Sequence, residues 1–200
     1  MKVVGINGSP RKGGNTEILI KKAFDILEEK GISTELINLG ELKIEPCDAC
    51  KYCRKNIGKC HIEDDFEVVF DKILKADGII LGSPVYLGSV TAQMKALMDR
   101  AGYIARAMDK PFRRKVGGAI VVARRAGQNF TLMQLIQFFN IFGIIIAGST
   151  HYWNIGFGRE KKDVLKDGEA IETVKDFAEN MAWILNIINK NKNTEEISAR

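Results

Sequence analysis

Apolar residues follow two spacings along the chain, one typical of buried strands and the other typical of helices. Short apolar or alternating runs predict five strands, at residues 2–6, 33–39, 78–82, 116–123 and 144–148. Between these runs, apolar residues recur at the helical spacing and predict helices at residues 15–31, 64–74, 91–108, 130–142 and 169–190. Asn15 stands before the first apolar position of its helix, and we expect it to cap that helix.

The regular alternation of strands and helices predicts an α/β fold. Each strand–helix–strand unit implies a right-handed parallel crossover, so helices should cover both faces of a five-stranded sheet in a three-layer sandwich. Five strands suit the flavodoxin-like order 2-1-3-4-5 better than the six-stranded dinucleotide-binding order, and ligands should bind where the strands end. No repeat or linker divides the chain, so we expect one domain over residues 1–190 and a polar tail at residues 191–200.

Composition and charge narrow the class of protein. The 200 residues are 46% hydrophobic and 28% charged, as in an ordinary soluble domain. The apolar stretch at residues 133–148 is too short and too interrupted to span a bilayer. Residues 1–5 lead into the first strand without a cleavage site, so we expect a cytoplasmic protein with no membrane partner. The net charge of +5 is spread over mixed-sign helices, which argues against a nucleic-acid partner.

All the cysteines of the chain lie in one segment without periodicity, residues 40–63, which we call the cysteine loop; they are Cys47, Cys50, Cys53 and Cys60. Clustered thiols in a reducing compartment favour a metal site over disulfides. Zinc sites usually present two C-x2-C pairs separated by a longer span, whereas successive x2 spacings resemble the bacterial ferredoxin arrangement for a cubane cluster. All the thiols would then serve one [4Fe–4S] cluster. Structural zinc and redox-sensing thiols remain alternatives, and we expect His61 to be a solvated loop residue.

The turn between the first strand and the first helix, residues 7–14, is a candidate anion site, which we call the phosphate loop. Unpaired N–H groups at a helix N-terminus favour phosphate, and Gly13 and Gly14 allow the backbone to approach a ligand closely. The turn matches neither G-x-G-x-x-G nor a nucleoside triphosphate loop, so it suits a single terminal phosphate, as in FMN. Side chains that could bind this phosphate are those of Ser9, Arg11, Asn15 and Thr16, while Lys12 could do so or face water.

The loop after the third strand, residues 83–89, is suited to a planar ligand, and we call it the ring loop. Pro84 stiffens it, Tyr86 offers an aromatic wall, and backbone N–H groups near Val85 could meet the polar edge of a flavin. After the fourth strand, Arg124 and Arg125 could stabilise an anionic reduced flavin or could be surface charges. The cysteine loop follows the second strand, so it should lie at the same sheet edge as the phosphate loop.

Three segments together resemble the iron–sulfur flavoproteins of archaea and anaerobic bacteria, within the wider NADPH-dependent FMN reductase group. They are Gly8-Ser9-Pro10-Arg11-Lys12-Gly13-Gly14-Asn15-Thr16, Ser83-Pro84-Val85-Tyr86 and the cysteine motif. The resemblance implies one FMN and one [4Fe–4S] cluster per subunit. By this resemblance, the FMN phosphate would be bound by Ser9, Arg11, Asn15 and Thr16, the ring by Pro84, Val85 and Tyr86, and the cluster by Cys47, Cys50, Cys53 and Cys60. It also implies a ferredoxin-like electron donor, reduction of dioxygen or peroxide, and a homodimer or homotetramer in which a cluster faces the neighbouring flavin.

The function that these features favour is electron transfer between a ferredoxin-like donor, a [4Fe–4S] cluster and FMN. No proton-transfer triad is evident, so the redox chemistry would belong to the cofactors. One alternative is an NAD(P)H-dependent FMN or quinone reductase whose cysteines bind structural zinc. The other is a flavin-free regulatory protein that senses redox state and binds an acidic partner.

Overall fold

The fold is described by a computed structural model, which covers residues 1–198 and the side chains of residues 1–191. Its strands are β1 (Lys2–Asn7), β2 (Ser33–Asn38), β3 (Gly78–Pro84), β4 (Val116–Ala123), β5 (Ile145–Ile146) and β6 (Ile155–Phe157). Its helices are α1 (Asn15–Glu29), α2 (Tyr52–Lys55), α3 (Phe66–Lys75), α4 (Ala92–Ala107), α5 (Gln128–Ile141) and α6 (Gly168–Ser198). Among residues 1–198, no helix combines the length and the apolar composition that crossing a bilayer requires.

The sheet confirms the predicted flavodoxin-like order. Its strands run parallel in the order β2-β1-β3-β4-β5. One strand was not predicted: β6 also pairs in parallel with β4, at residues 121–123, whereas β5 pairs only with residues 116 and 117. The fifth sheet position is therefore shared by two short strands. The continuous strand predicted at residues 144–148 is wrong in length, because the last backbone bond of this segment to β4 is from the N–H of Ala147 to the carbonyl of Gly117 (2.9 Å).

Helices cover both faces of the sheet, which confirms the three-layer sandwich. On one face, α3, α4 and α5 pack on alternate strand residues such as Ile79 and Leu81. On the other face, α1 and α6 pack on residues such as Ile80 and Ile120. Side chains of a strand point alternately to its two faces, so each central strand supplies both cores.

Glycines in the strands let the helices approach the sheet closely. A Cβ atom at Gly118 would lie 2.1 Å from Cζ of Phe177 in α6, and one at Gly5 would lie 2.6 Å from Cζ of Phe24 in α1. Aromatic rings of the helices therefore occupy the space that strand side chains would otherwise fill. These contacts fix α1, and with it the phosphate loop, against the sheet.

The cap of α1 and the end of α6 differ from the expectation. The cap of α1 is Gly14, in an extended conformation, rather than Asn15, because the Asn15 side chain is bonded elsewhere. The backbone of α6 continues to Ser198 rather than ending near residue 190, and residues 191–198 contain no glycine or proline that would stop it. Residues 199 and 200 of the expected tail lie outside the described residues.

Candidate functional site

The phosphate loop is held in place by its own backbone and by β3. The N–H of Ser9 donates to Oδ1 of Asn7 (3.1 Å), the N–H of Arg11 donates to Oγ of Ser9 (3.2 Å), and the N–H of Gly14 donates to the carbonyl of Arg11 (3.0 Å). The N–H of Gly8 donates to the carbonyl of Gly82 (2.8 Å). A Cβ atom at Gly14 would lie 2.9 Å from the Arg11 carbonyl oxygen, so this turn requires glycine.

The N-terminus of α1 opens toward a cavity without a capping side chain. Because a glycine occupies the cap position, no cap side chain satisfies the N–H groups of the first turn. Gly14, Asn15 and Thr16 line the adjoining cavity. Unsatisfied N–H groups and the positive end of the helix dipole both favour an anion here. This cradle fits the terminal phosphate of a mononucleotide.

The structure brings the two predicted loops together in this cavity, which has a volume of about 390 Å³. It is lined by every residue that we expected to contact FMN, namely Ser9, Arg11, Asn15, Thr16, Pro84, Val85 and Tyr86. The two loops meet because β1 and β3 are neighbours and end at the same edge of the sheet. The size lies within the usual range for small-molecule sites.

A third wall of the cavity was not predicted. It is the segment Gly158-Arg159-Glu160-Lys161, which follows β6. Arg11 Nη1 donates to the carbonyl of Arg159 (3.2 Å). The Asn15 amide donates from Nδ2 to the carbonyl of Glu160 (2.8 Å), and its Oδ1 accepts the N–H of Val164 (3.5 Å). The Asn15 side chain is therefore bonded to this wall as well as lining the cavity.

The third wall was not predicted because β6, the strand that precedes it, was not predicted. A three-residue strand is too short to show a period, so the sequence showed no element to position residues 158–161. One signal in the sequence could have indicated a turn here: Gly156 and Gly158 flank Phe157. Of the two arginines considered after β4, Arg124 lines the cavity. Together with Arg11, it adds positive charge to a site that suits an anion.

The ring loop has a preorganised backbone. The N–H of Val85 donates to the carbonyl of Val122 in β4 (2.8 Å), and Tyr86 and Ser89 exchange two backbone hydrogen bonds (2.9 and 3.0 Å). Oε1 of Gln134 in α5 accepts from Ser89 Oγ and from the N–H of residue 90, both at 3.0 Å. Tyr86 is 48% exposed and forms the rim of the cavity. Such a rigid loop can hold a planar ring without first having to order itself.

Glu17 is a residue of the site that sequence reasoning missed. Its buried carboxylate accepts the N–H of Gly13 through Oε2 (2.6 Å) and bonds Lys21 Nζ through Oε1 (2.6 Å). Burial raises the pKa of Glu17, but the bonds from Lys21 and Gly13 outweigh it, so the pKa lies below its usual value. The ionised carboxylate thus holds Gly13, whose φ is +61°, in the left-handed region.

We expect Glu17 to make the folded state sensitive to acid. Because its pKa is lower in the folded state than in the unfolded state, its contribution is fully present above the unfolded-state pKa. It is lost as the pH falls through the folded pKa. Urea unfolding of Glu17→Gln should show less loss of stability between pH 7 and acid than the parent shows. Glu29→Gln, at an exposed position, is the control and should behave as the parent.

Arg11 gives a direct test of the phosphate cradle. If its guanidinium makes a charged hydrogen bond to the phosphate, Arg11→Ala should weaken FMN binding by about 1.5–3 kcal/mol, or roughly 10- to 150-fold. Fluorescence titration of the apoprotein with FMN measures this. Lys12→Ala is the matched control, because Lys12 is paired with Glu41 (3.1 Å) and does not line the cavity. Equal affinities of the two variants would assign Arg11 to the surface.

The cysteines converge on a second, smaller pocket of about 30 Å³. Its wall contains Cys47, Cys50, Cys53 and Cys60, together with Arg100, Tyr103 and Ile104 of α4. Ala49 and Lys51 adopt left-handed conformations (φ 59° and 63°), which wind the backbone tightly between the first three thiols. All the thiols are free. Asp48 also lines this pocket. Clustered thiols suit an iron–sulfur cluster or a zinc ion.

The rim of this pocket carries an acid–imidazole pair. Nε2 of His61 lies 2.7 Å from Oδ2 of Asp48. Hydrogen bonds from Cys50 and then from His61 lower the pKa of Asp48 to about 2. Ligand atoms of Asp48, Cys50 and His61 lie within 4.8 Å of one another, but all three residues are exposed. His61 is therefore exposed as expected, but it is paired with a carboxylate.

The cysteine pocket lies farther from the phosphate loop than we expected. The loop does start at the phosphate-loop edge, because a Cβ atom at Gly40 would lie 2.7 Å from Cα of Pro10. The pocket itself, however, contacts residues 100–104 of α4, whereas α4 begins beside the phosphate loop, where Thr91 Oγ1 donates to the carbonyl of Gly8 (2.8 Å). From Ala92 to Arg100 a helix rises by about 12 Å. The two cavities share no lining residue.

The strand order defines a flavodoxin-like fold, and the cradle at the first strand–helix turn suits a mononucleotide. Residues 1–158 match the family described as NADPH-dependent FMN reductase, and the chain belongs to that family. This membership supports FMN as the cofactor and flavin-dependent redox chemistry.

Similar proteins agree with this assignment. The chain is 41% identical to an iron–sulfur flavoprotein of Methanocaldococcus jannaschii over 196 residues, which covers 95% of this chain and 100% of the relative. It is 35% identical to an iron–sulfur flavoprotein of Methanosarcina thermophila, with coverage of 96% and 99%. Among solved structures, RosB with a bound 8-demethyl-8-formylriboflavin-5′-phosphate intermediate has a TM-score of 0.76 at 20% identity, covering 95% of this chain and 81% of RosB. The structural likeness shows a shared fold.

Proposed function

We propose that this protein binds one FMN and one [4Fe–4S] cluster per chain and passes electrons between a ferredoxin-like donor, the cluster and FMN, and on to dioxygen or peroxide. The two cofactors supply the redox chemistry, because FMN exchanges single electrons or pairs and the cluster exchanges single electrons. The observation that carries the proposal is the convergence of Cys47, Cys50, Cys53 and Cys60 on one pocket in a chain that also has the FMN cavity. Relatives named iron–sulfur flavoproteins, similar over nearly the whole chain, support it.

The residues of the larger cavity would bind FMN in two parts. The N-terminus of α1, with Ser9, Arg11 and Thr16, would bind the phosphate, and Asn15 would hold the wall after β6 against it. Pro84, Val85 and Tyr86 would contact the ring. The half-exposed Tyr86 leaves this end of the cavity open to a small oxidant. There, dioxygen would take up an electron pair and two protons to become hydrogen peroxide. Hydrogen peroxide would take up a second electron pair and two more protons, which breaks its O–O bond and gives two molecules of water.

The charge of the segment between Cys50 and Cys60 supports an acidic electron donor. This segment contains no acidic residue, and its cationic residues Lys51, Arg54, Lys55 and Lys59 are all exposed. A cationic patch beside a redox centre steers an acidic partner and makes the encounter sensitive to salt. We propose that the ferredoxin-like donor docks here.

Two features support an assembly of several subunits. The first is that the cysteine pocket and the FMN cavity of one chain lie apart and share no lining residue. The second is a set of exposed apolar side chains. Large apolar side chains of α5 and of the segment after β5 are exposed, with Phe130 at 76%, Met133 at 53% and Trp153 at 58%. Such apolar patches are typical of protein–protein contacts. We propose a homodimer or homotetramer in which the cluster of one subunit faces the flavin of its partner. Light scattering on the cofactor-loaded protein measures the number of subunits, and a monomer would contradict this part of the proposal.

Anaerobic stopped-flow reduction tests the electron-transfer function. We expect reduced ferredoxin to reduce both cofactors, at a rate that falls as salt is added. Lys55→Glu should slow this reduction by about fivefold at low salt. Lys30→Glu, an equal charge change at the exposed end of α1, is the control and should leave the rate unchanged. Reduction by NAD(P)H but not by ferredoxin would contradict the proposal.

A further inference from the structure

Arg100 is a fully buried arginine beside the cysteines. It lies in the third turn of α4, its side chain is 1% exposed, and it lines the same pocket as all the thiols. Arginine is rarely buried to this extent unless its charge is paired. Its contacts therefore show what the guanidinium does there.

The two Nη atoms of Arg100 donate to residues at both ends of the cysteine loop and to Asp64, which follows the loop directly. Nη1 donates to Oδ2 of Asp64 (2.5 Å) and to the carbonyl of Glu45 (3.2 Å), and Nη2 donates to the carbonyl of Ile62 (3.2 Å). The guanidinium carbon lies 4.2 Å above the ring of Phe66. Because residues 45, 62 and 64 flank the thiols on both sides, Arg100 closes the cysteine loop against α4.

Not every nitrogen of Arg100 is bonded. Nε is buried and has no hydrogen-bond partner among the described residues. Arg100 and Cys60 line the same pocket. A buried N–H without a partner costs free energy. A hydrogen-bond acceptor bound in the pocket would remove this cost.

We propose that Arg100 is a positioning residue that raises the reduction potential of the cluster by donating from Nε–H to a sulfur of the cluster or of Cys60. This inference rests on the proposed presence of the cluster. Hydrogen bonds to the sulfurs and nearby fixed charge are the means by which proteins set cluster potentials. Arginine stays protonated at all physiological pH values, so this cation is permanent.

The sign of the effect follows from the electron balance. Reduction adds one electron, taken from the external donor, and no bond or proton need change at the protein. The reduced state therefore carries one more negative charge. A buried cation in the pocket wall stabilises that state, and Asp64, as an anion, opposes it. Removing Arg100 should lower the potential, whereas neutralising Asp64 should raise it.

The test is a redox titration of the anaerobically purified holoprotein with dithionite and mediators, followed by electron paramagnetic resonance of the cluster and by flavin absorbance. At a fixed potential we expect Arg100→Met to lower the ratio of reduced to oxidised cluster about tenfold, which is 59 mV for a one-electron couple. Arg100→Lys should shift it less, and Asp64→Asn should shift it the opposite way. Arg106→Met, an exposed arginine of the same helix outside the cysteine pocket, is the matched control and should leave the ratio unchanged.

The alternative is a purely structural role in closing the loop. A cluster retained in Arg100→Met with the same potential as in Arg106→Met would overturn the inference. So would loss of the cluster from both Arg100→Met and Arg100→Lys with FMN retained, because Arg100 would then serve only to hold the loop. Absence of iron and sulfide from the parent protein would instead refute the proposed function itself.

Discussion

Replacing Cys60 with alanine is expected to remove the iron and the acid-labile sulfide while leaving FMN bound. Cys60 is the only cysteine beyond the compact motif that ends at Cys53, and it lines the pocket with the other three. A cubane cluster that lacks one of its thiolate ligands is lost or broken down by oxidation more easily. Iron, sulfide and flavin analyses of the anaerobically purified variant measure both parts of this prediction.

FMN should survive this change because the cysteine pocket and the FMN cavity share no lining residue. Lys59→Ala, which changes the neighbouring exposed residue, is the control and should keep the full cluster content. Full retention of iron and sulfide in Cys60→Ala would mean that another residue supplies the ligand. Loss of FMN along with the cluster would mean that the two sites are coupled through the fold.

Adding one methyl group at Gly118 should cost about 3 kcal/mol of stability, the upper part of the usual range for overpacking a core. The new Cβ would lie 2.1 and 2.2 Å from ring atoms of Phe177, which is fully buried. Neither side can move easily, since β4 is paired on both edges and α6 is packed on α1. Urea unfolding of Gly118→Ala, followed by circular dichroism, measures the free energy of unfolding.

Two further variants show whether that loss arises from the contact with α6. Gly148→Ala, where a Cβ would meet nothing within 4 Å, should change stability by much less. Combining Gly118→Ala with Phe177→Leu should cost less than the sum of the two single changes, because the smaller side chain makes room for the methyl group. Additive losses would contradict the close packing of α6 on β4.

The topology could be predicted because it depends on a repeating pattern. Alternating strand and helix periods and right-handed crossovers leave few ways to connect a parallel sheet. Among these, five strands suit the flavodoxin-like order, which the sheet has. The three-residue β6 could not be predicted in this way, because its pairing depends on the edge that β4 offers. Nor could the cap of α1, because it depends on Asn15 bonding to the wall after β6.

In the candidate sites too, features that follow from the topology could be predicted, and features that depend on contacts between distant residues could not. Ser9 and Tyr86 lie at the carboxyl ends of neighbouring strands, so topology alone predicted that they would share a cavity. Arg100 lies in a helix that reads as amphipathic, and its buried pairing with Asp64 joins residues 36 positions apart. Such a pairing leaves no periodic signal. The sequence also could not show that the cysteine pocket contacts the third and fourth turns of α4 rather than its start.

We propose that the cysteines bind an iron–sulfur cluster in a protein that also binds FMN. Chemical analysis of the anaerobically purified protein for iron, zinc, acid-labile sulfide and flavin tests this proposal. We predict iron and sulfide in the equal amounts of a [4Fe–4S] cluster, with one FMN per chain. Zinc without sulfide would contradict the claim and favour a reductase with a structural zinc site.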